Sequence, residues 1–223
     1  GNAPPEVGAS EVYLRDGALE VMASGSYQLT SSSGATHRFP AVKVPAPLDL
    51  SKSWGVEFLE RAGLGQPFRA HYATLQSWTE SPDRRQKYFS GTARYSRSFA
   101  MDASIARGGK HRVYLDLGYV GDIATVRVNG NDAGILWKAP YSADITEFIR
   151  AGANTIEVDV TNLWINRLVG DAQLPADQRK TSATSRDINK YHKRRPYKES
   201  RLRTSGLTGP VQLRFSTLCD GVL

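Results

Sequence analysis

The sequence predicts an all-β protein, an antiparallel β-sandwich with a few short helical turns. Three observations lead there. Apolar residues recur with period two in stretch after stretch, the spacing that puts alternate side chains on one face of a strand. Turn residues separate those stretches, most clearly at Asn129-Gly130, where a tight hairpin needs positive φ at both central residues. Helical periodicity is scarce. At 223 residues the chain can bury a sizeable core as one large all-β domain without covalent staples.

Taken in order, residues 1–47 read as a strand-rich lead-in. Glu11–Leu14, Leu19–Ala23 and Ser26–Thr30 are short strand candidates, with turns at Asp16-Gly17 and Ser24-Gly25. Pro40, Pro45 and Pro47 punctuate an extended, Pro-rich linker. The stretch is too short for its own core, so it is either extra strands on the sandwich or, the favoured reading, the tail of a preceding domain. Residues 48–217 form the sandwich. Strands are expected at Trp54–Glu60 and at Gly91–Phe99, where Ala93, Tyr95 and Phe99 share a face. Val113–Leu117 and Ile123–Val128 alternate likewise, and Ala133–Leu136 returns from the Asn-Gly turn. Asp144–Arg150 suits one or two helical turns ended by Gly152. Asn154–Asn162 is the clearest half-buried strand, with Ile156, Val158 and Val160 inward and Glu157 and Asp159 outward. Pro210–Phe215 closes the set.

The formal charge of +7 is concentrated. Residues 179–203 hold ten Lys/Arg against Asp187 and Glu199, and the remainder is nearly neutral. A nucleic-acid-binding fold more often spreads its charge over a face, so this run reads first as a solvated basic loop. Tyr191 and Tyr197 among its bases leave single-stranded nucleic acid or an acidic glycan open as other uses. One cysteine, Cys219, excludes an intramolecular disulfide framework. No run of about 18 apolar residues offers a membrane span. The chain opens Gly1-Asn2-Ala3-Pro4-Pro5 with no basic-then-apolar leader, which reads as a trimmed N-terminus.

Few constellations carry chemistry. Glu157 and Asp159, two apart on a strand, would lie roughly 7 Å from each other, within the range glycoside hydrolysis uses; the plainer reading is a solvated strand face. His37, His71, His111 and His192 fall in no catalytic or metal-ligand spacing. No cofactor, no metal site and no catalytic residue are assigned. The aromatics are the better lead, because sugar rings dock their C–H faces on exposed indole or phenol rings while polar groups read the hydroxyls. Trp78, Trp137, Tyr141 and Trp164 all fall in expected loops, and Asn166, Arg167 and Asp171 lie beside Trp164 as hydroxyl partners. These residues are candidates for carbohydrate binding or for a domain interface; internal loop packing is the third reading. Strands 132–136 and 154–161 are expected to run the same way, which would gather Trp137, Tyr141, Trp164, Asn166 and Arg167 at one end.

Val126-Arg127-Val128-Asn129-Gly130, then Gly134, Asp144-Ile145-Thr146 and Gly152–Val158, resemble the sugar-binding jelly-roll sandwich of family 2 glycoside hydrolases. A fuller set covers roughly residues 48–215: Tyr88–Ala93, Leu136–Tyr141, Thr161–Asp171 and Ser205–Val211. Together these resemble the C-terminal galactose-binding-like domain of the family 106 α-L-rhamnosidases. The resemblance implies a galactose-binding-like jelly roll and a non-catalytic accessory role in a larger, secreted or periplasmic rhamnosidase-like hydrolase. It also implies two partners, a plant or microbial glycan and the catalytic domain of the parent chain; the composition itself offers no membrane partner and disfavours nucleic acid. The family's catalytic carboxylates belong to a barrel, and no alternating strand–helix pattern of a barrel is present here. Two other classes stay open: a complete small glycoside hydrolase using sandwich carboxylates, and a basic interaction module for an acidic polymer. An exposed apolar patch would favour the accessory reading.

Overall fold

The computed structural model describes residues 12–15, 17–59, 66–106, 109–181 and 196–220. The lead-in forms β1 (Val12–Arg15), β2 (Ala18–Val21), β3 (Gly25–Thr30), β4 (Thr36–Val42) and β5 (Leu48–Asp49). Then come β6 (Lys52–Phe58), β7 (Phe68–Thr74), α1 (Arg84–Lys87), β8 (Thr92–Met101), α2 (Ala103–Ala106) and β9 (His111–Asp116). The centre holds β10 (Tyr119–Gly121), β11 (Ile123–Val128), β12 (Asn131–Leu136), β13 (Ser142–Asp144) and β14 (Gly152–Thr161). The chain closes with α3 (Ile165–Asp171), β15 (Gly206–Gly209) and β16 (Gln212–Cys219).

The strands build two facing antiparallel sheets. The first runs β1-β2-β16-β9-β13, with β5 paired to another stretch of β16. The second runs β12-β11-β14-β8-β6-β7. Period two explains the core. Val113, Leu115, Leu213 and Phe215 point inward from the first sheet, and Trp54, Val56, Tyr95, Val126, Ile156, Val158 and Val160 point inward from the second. One end of the core is aromatic: Phe58 lies 4.6 Å from Phe68, 4.9 Å from Phe89 and 5.4 Å from Trp78, ring centre to ring centre. Such pairs each add roughly 0.5–1.5 kcal/mol beyond the area they bury.

The Asn129-Gly130 turn joins β11 to β12 with φ of 52° and 82°, the left-handed pair a tight hairpin demands. The Asn129 side chain then donates to Asn154 and accepts from the Thr155 N–H, tying the turn to β14. In the lead-in, β2 pairs with β16, so β1 and β2 are strands of the sandwich sheet. The β3–β4 hairpin contributes Phe39 to a small separate cluster with Leu19 and Val21. The helical turn expected at 144–150 divides into β13, on the first sheet, and a single 3-10 turn at Thr146–Phe148. Residues 182–195, the middle of the basic run, and with them His192, lie outside the described residues.

Candidate functional site

The β11 register decides which loops meet. Ala124 opposes Leu136 of β12 on one side and Val160 of β14 on the other. Both flanking strands are antiparallel to β11, so they run the same way and finish level. Trp137 therefore leaves the second sheet at the same end as Asn162–Trp164. After Trp137 the chain crosses to the first sheet, where β13 pairs with β9. Asp122 stands between the two exits. Its φ is 100°, a conformation non-glycine residues seldom adopt. Its carboxylate accepts the Leu163 N–H at 3.1 Å, and its carbonyl accepts the Tyr141 hydroxyl at 3.4 Å.

The surface at this end is apolar. Trp137 is 66% exposed and Trp164 53%. Leu163 precedes Trp164 and is exposed, as is Ile123, which opposes Thr161 at the same end of the sheet; Tyr119 and, on the outward face of β12, Ile135 are exposed as well. Lys138 places its ammonium 5.4 Å from the Trp137 ring centre. Tyr141 is half-buried, with its ring against the core.

The other candidates go elsewhere. Trp78, expected in a loop, lies in a 3-10 turn with its indole wholly enclosed. Its Nε1–H donates to the Tyr95 hydroxyl at 2.6 Å, and that oxygen also accepts the Leu207 N–H. Burial drives the Tyr95 phenol well above its ordinary pKa, so it stays a neutral hub. Asn166, Arg167 and Asp171, expected in a loop, belong to α3. The signal for that helix is the i, i+3, i+4, i+7 spacing of Ile165, Leu168, Val169 and Ala172; its brevity and polar neighbours hid it. Asn166 is buried, donates to the Arg203 carbonyl and the Ser205 hydroxyl, and accepts the Arg203 N–H. Asp171 is buried and accepts both the Lys180 and Thr181 N–H groups and the Thr181 hydroxyl. These two side chains fasten 180–181 and 203–205 to the fold. Arg167 is partly buried; desolvation lowers its pKa and Asp171 opposes that.

The outward face of β14 gives no acid pair. Asp159 receives Arg94 through two hydrogen bonds, at 2.7 and 3.0 Å, and Arg127 through two more at 3.1 Å. Burial alone would raise its pKa, but the two guanidinium groups outweigh burial and hold it below the ordinary carboxylate range. Glycosidases need one carboxyl kept protonated by a raised pKa. Among the described residues, no group of three or more His, Cys, Asp or Glu is placed to hold a metal ion, and no helix is long and apolar enough to cross a membrane.

No protein-family model matches the chain. A curated protein of Formosa agariphila described as "Putative beta-glucuronidase" is 34% identical over 220 residues, covering 91% of this chain and 19% of that protein. A solved rhamnosidase from Novosphingobium sp. PP1Y matches 89% of the chain with a TM-score of 0.62 and 30% identity, over 21% of its own length. The chain is a β-sandwich similar to portions of glycoside hydrolases. A β-D-glucuronidase from Dictyoglomus thermophilum shares the fold at a TM-score of 0.51 and 19% identity, covering 77% of this chain and 28% of its own. The chain thus spans about a fifth of the first two relatives, consistent with one accessory portion of a glycosidase. Their names differ in sugar, a glucuronide in one and a rhamnoside in the other.

Proposed function

We propose that this chain is a non-catalytic, carbohydrate-binding-type accessory domain of a rhamnosidase-like glycoside hydrolase of family 106, and that its apolar end seats against the catalytic domain of the parent protein. The observation that carries this is the exposed patch of Trp137, Leu163, Trp164 and Ile123 at one end of the second sheet. Contiguous exposed apolar surface marks contact sites. Sugar sites set aromatic rings beside uncommitted polar groups, whereas here the aromatics stand beside Leu and Ile, and Asn166 and Asp171 are already engaged. That composition suits a protein contact better.

The test compares Trp137→Ala and Trp164→Ala in two settings. In the 223-residue chain, each should change stability by under about 1 kcal/mol, because exposed rings contribute little. In the parent protein, the same changes should lower the melting temperature and weaken the hold of this domain on the catalytic one. A loss of about 3–5 kcal/mol in the chain alone would show core packing instead. Unchanged behaviour of the parent would refute the docking role.

A further inference from the structure

The first sheet carries a second feature, on its outward face and separate from the apolar end. A cavity of about 470 Å³ opens there, lined by Tyr13, Arg15, Glu20, Tyr114, Asp144 and Arg214 among others. Glu20 is its most unusual member. It lies on β2 with 1% of its surface exposed. One carboxylate oxygen, Oε1, accepts the Tyr114 hydroxyl at 2.5 Å and the Ser216 hydroxyl at 2.6 Å. The other, Oε2, receives no hydrogen bond from the described residues. A buried acceptor without a donor carries its full desolvation penalty, and such groups call for an explanation.

The nearest charge over that oxygen is the Arg15 side chain, itself 46% exposed. Its Nε is 3.7 Å from Glu20 Oε2 and its Nη1 is 3.8 Å from Asp144 Oδ2. Both separations exceed a hydrogen bond. Arg15 therefore covers two carboxylates without satisfying either, and it is long enough to swing aside. Asp144 is otherwise held by Arg112 and by the Thr146 hydroxyl. Asp116 faces Arg214 at 4.0 Å.

The signs of charge balance. Glu20, Asp116 and Asp144 line the pocket with Arg15 and Arg214, and Arg112, paired with Asp144 from outside the lining, brings the charges level, so the pocket selects neither an anion nor a cation. It offers acceptors and donors in close alternation, with the phenol rings of Tyr13 and Tyr114 beside them. A polyhydroxylated ring needs that combination: hydroxyls that donate to carboxylates and accept from guanidinium groups, and C–H faces that lie on aromatic rings. We propose that this pocket binds one neutral sugar residue, whose hydroxyl supplies the missing donor to Glu20 Oε2 as Arg15 moves over the ring. The choice of a sugar among polyols rests on the glycoside hydrolase relationship read above; the place and neutrality of the ligand rest on the pocket alone.

Amide NMR titration of the isotope-labelled 223-residue chain tests it, with L-rhamnose, D-galactose, D-glucuronate and glycerol as separate probes. L-rhamnose or D-galactose should give saturable shifts gathered at Glu20, Tyr114 and Asp144. Glu20→Gln, which replaces the open acceptor with an amide of the same shape, should weaken binding about ten-fold or more, equivalent to about 1.4 kcal/mol. Should Glu20→Gln fail to fold, Tyr13→Ala on the exposed strand β1 serves in its place and should weaken binding likewise. Trp164→Ala should bind the sugar as the parent chain does. No saturable shift with either neutral sugar would overturn the proposal. So would glucuronate binding more tightly than both, or glycerol matching them. Shifts gathered at Trp137 and Trp164 would place the sugar at the other end, overturning this site while leaving a glycan-binding role standing.

Discussion

At the scale of single residues, polar neighbours in sequence proved a poor guide to exposure. Trp78 sits between Ser77 and Thr79, yet Ser77 caps the 3-10 turn and the indole goes fully inside. Trp164, between the apolar Leu163 and Ile165, stays out. The immediate neighbours point the wrong way in both cases; what takes Trp78 inside is an acceptor for its indole N–H in the Tyr95 hydroxyl, on a strand residue 17 positions away. The same hub makes one glycine indispensable. Gly206 has φ of 93°, and a Cβ built on it would stand 2.4 Å from Trp78 Nε1 and 2.7 Å from the Tyr95 hydroxyl. Gly206→Ala would both strain the backbone and push apart a buried hydrogen bond. A loss of about 3 kcal/mol or more is expected in urea unfolding, against about 1–2 kcal/mol for Gly134→Ala, where a Cβ meets open space and only the positive φ of 102° is strained. Equal losses at the two positions would show that backbone strain, and not the Trp78–Tyr95 contact, sets the cost.

At the scale of elements, strands with strict alternation were legible and short or edge elements were not. Asn154–Asn162 matches β14 closely because Ile156, Val158 and Val160 must all face the core. The edge strand β7 escaped notice because Phe68, Ala70 and Tyr72 alternate over a short stretch beside Arg69 and His71, and although Gly65 and Pro67 precede it, no Gly or Pro closes its far end. The Glu157–Asp159 pair shows what period two cannot reveal, since it gives the face of a side chain but not its neighbours across the sheet. Register supplies them: Asp159 opposes Arg94 on β8 and Thr125 on β11, with Arg127 two residues on. The carboxylate thereby pins three strands together. Its depressed pKa has a defined consequence for acid stability. A group whose folded pKa lies below its unfolded value contributes fully above the unfolded value, about 3.9 for aspartate, and the contribution fades as pH falls through the folded one. Wild-type protein should accordingly lose more stability than Asp159→Asn as pH drops from about 5 to about 2, a window that spans the unfolded aspartate value. Other acids, including Asp144, are common to both proteins and cancel in the difference. Parallel acid unfolding curves for the two proteins would show that the Arg94–Asp159–Arg127 cluster contributes nothing to folding.

At the scale of the whole molecule, the two outward surfaces differ in kind. The end of the second sheet is apolar and partnerless among the described residues, while the face of the first sheet is charged, balanced and hollow. The first was legible in part, since two of its aromatics, Trp137 and Trp164, stood out in expected loops. The second was not, because it assembles β1, β2, β9, β13 and β16 from opposite ends of the chain. The accessory reading predicts that neither surface supplies glycoside hydrolysis. Hydrolysis needs a carboxyl held protonated near neutrality and a second carboxylate about 5–9.5 Å away. Asp159 is driven the wrong way by its arginines, and Asp144 also lies below its ordinary range, because hydrogen bonds from Thr146 and Arg112 outweigh its burial. Glu20 holds the Tyr114 and Ser216 hydroxyls on Oε1 and has the Arg15 guanidinium over Oε2. The 223-residue chain alone should therefore show no turnover of aryl α-L-rhamnosides or aryl β-glucuronides above the uncatalysed rate. Turnover that survives purification and disappears in Glu157→Gln or Glu20→Gln would show that the sandwich carries its own active site, and the accessory reading would fall with it.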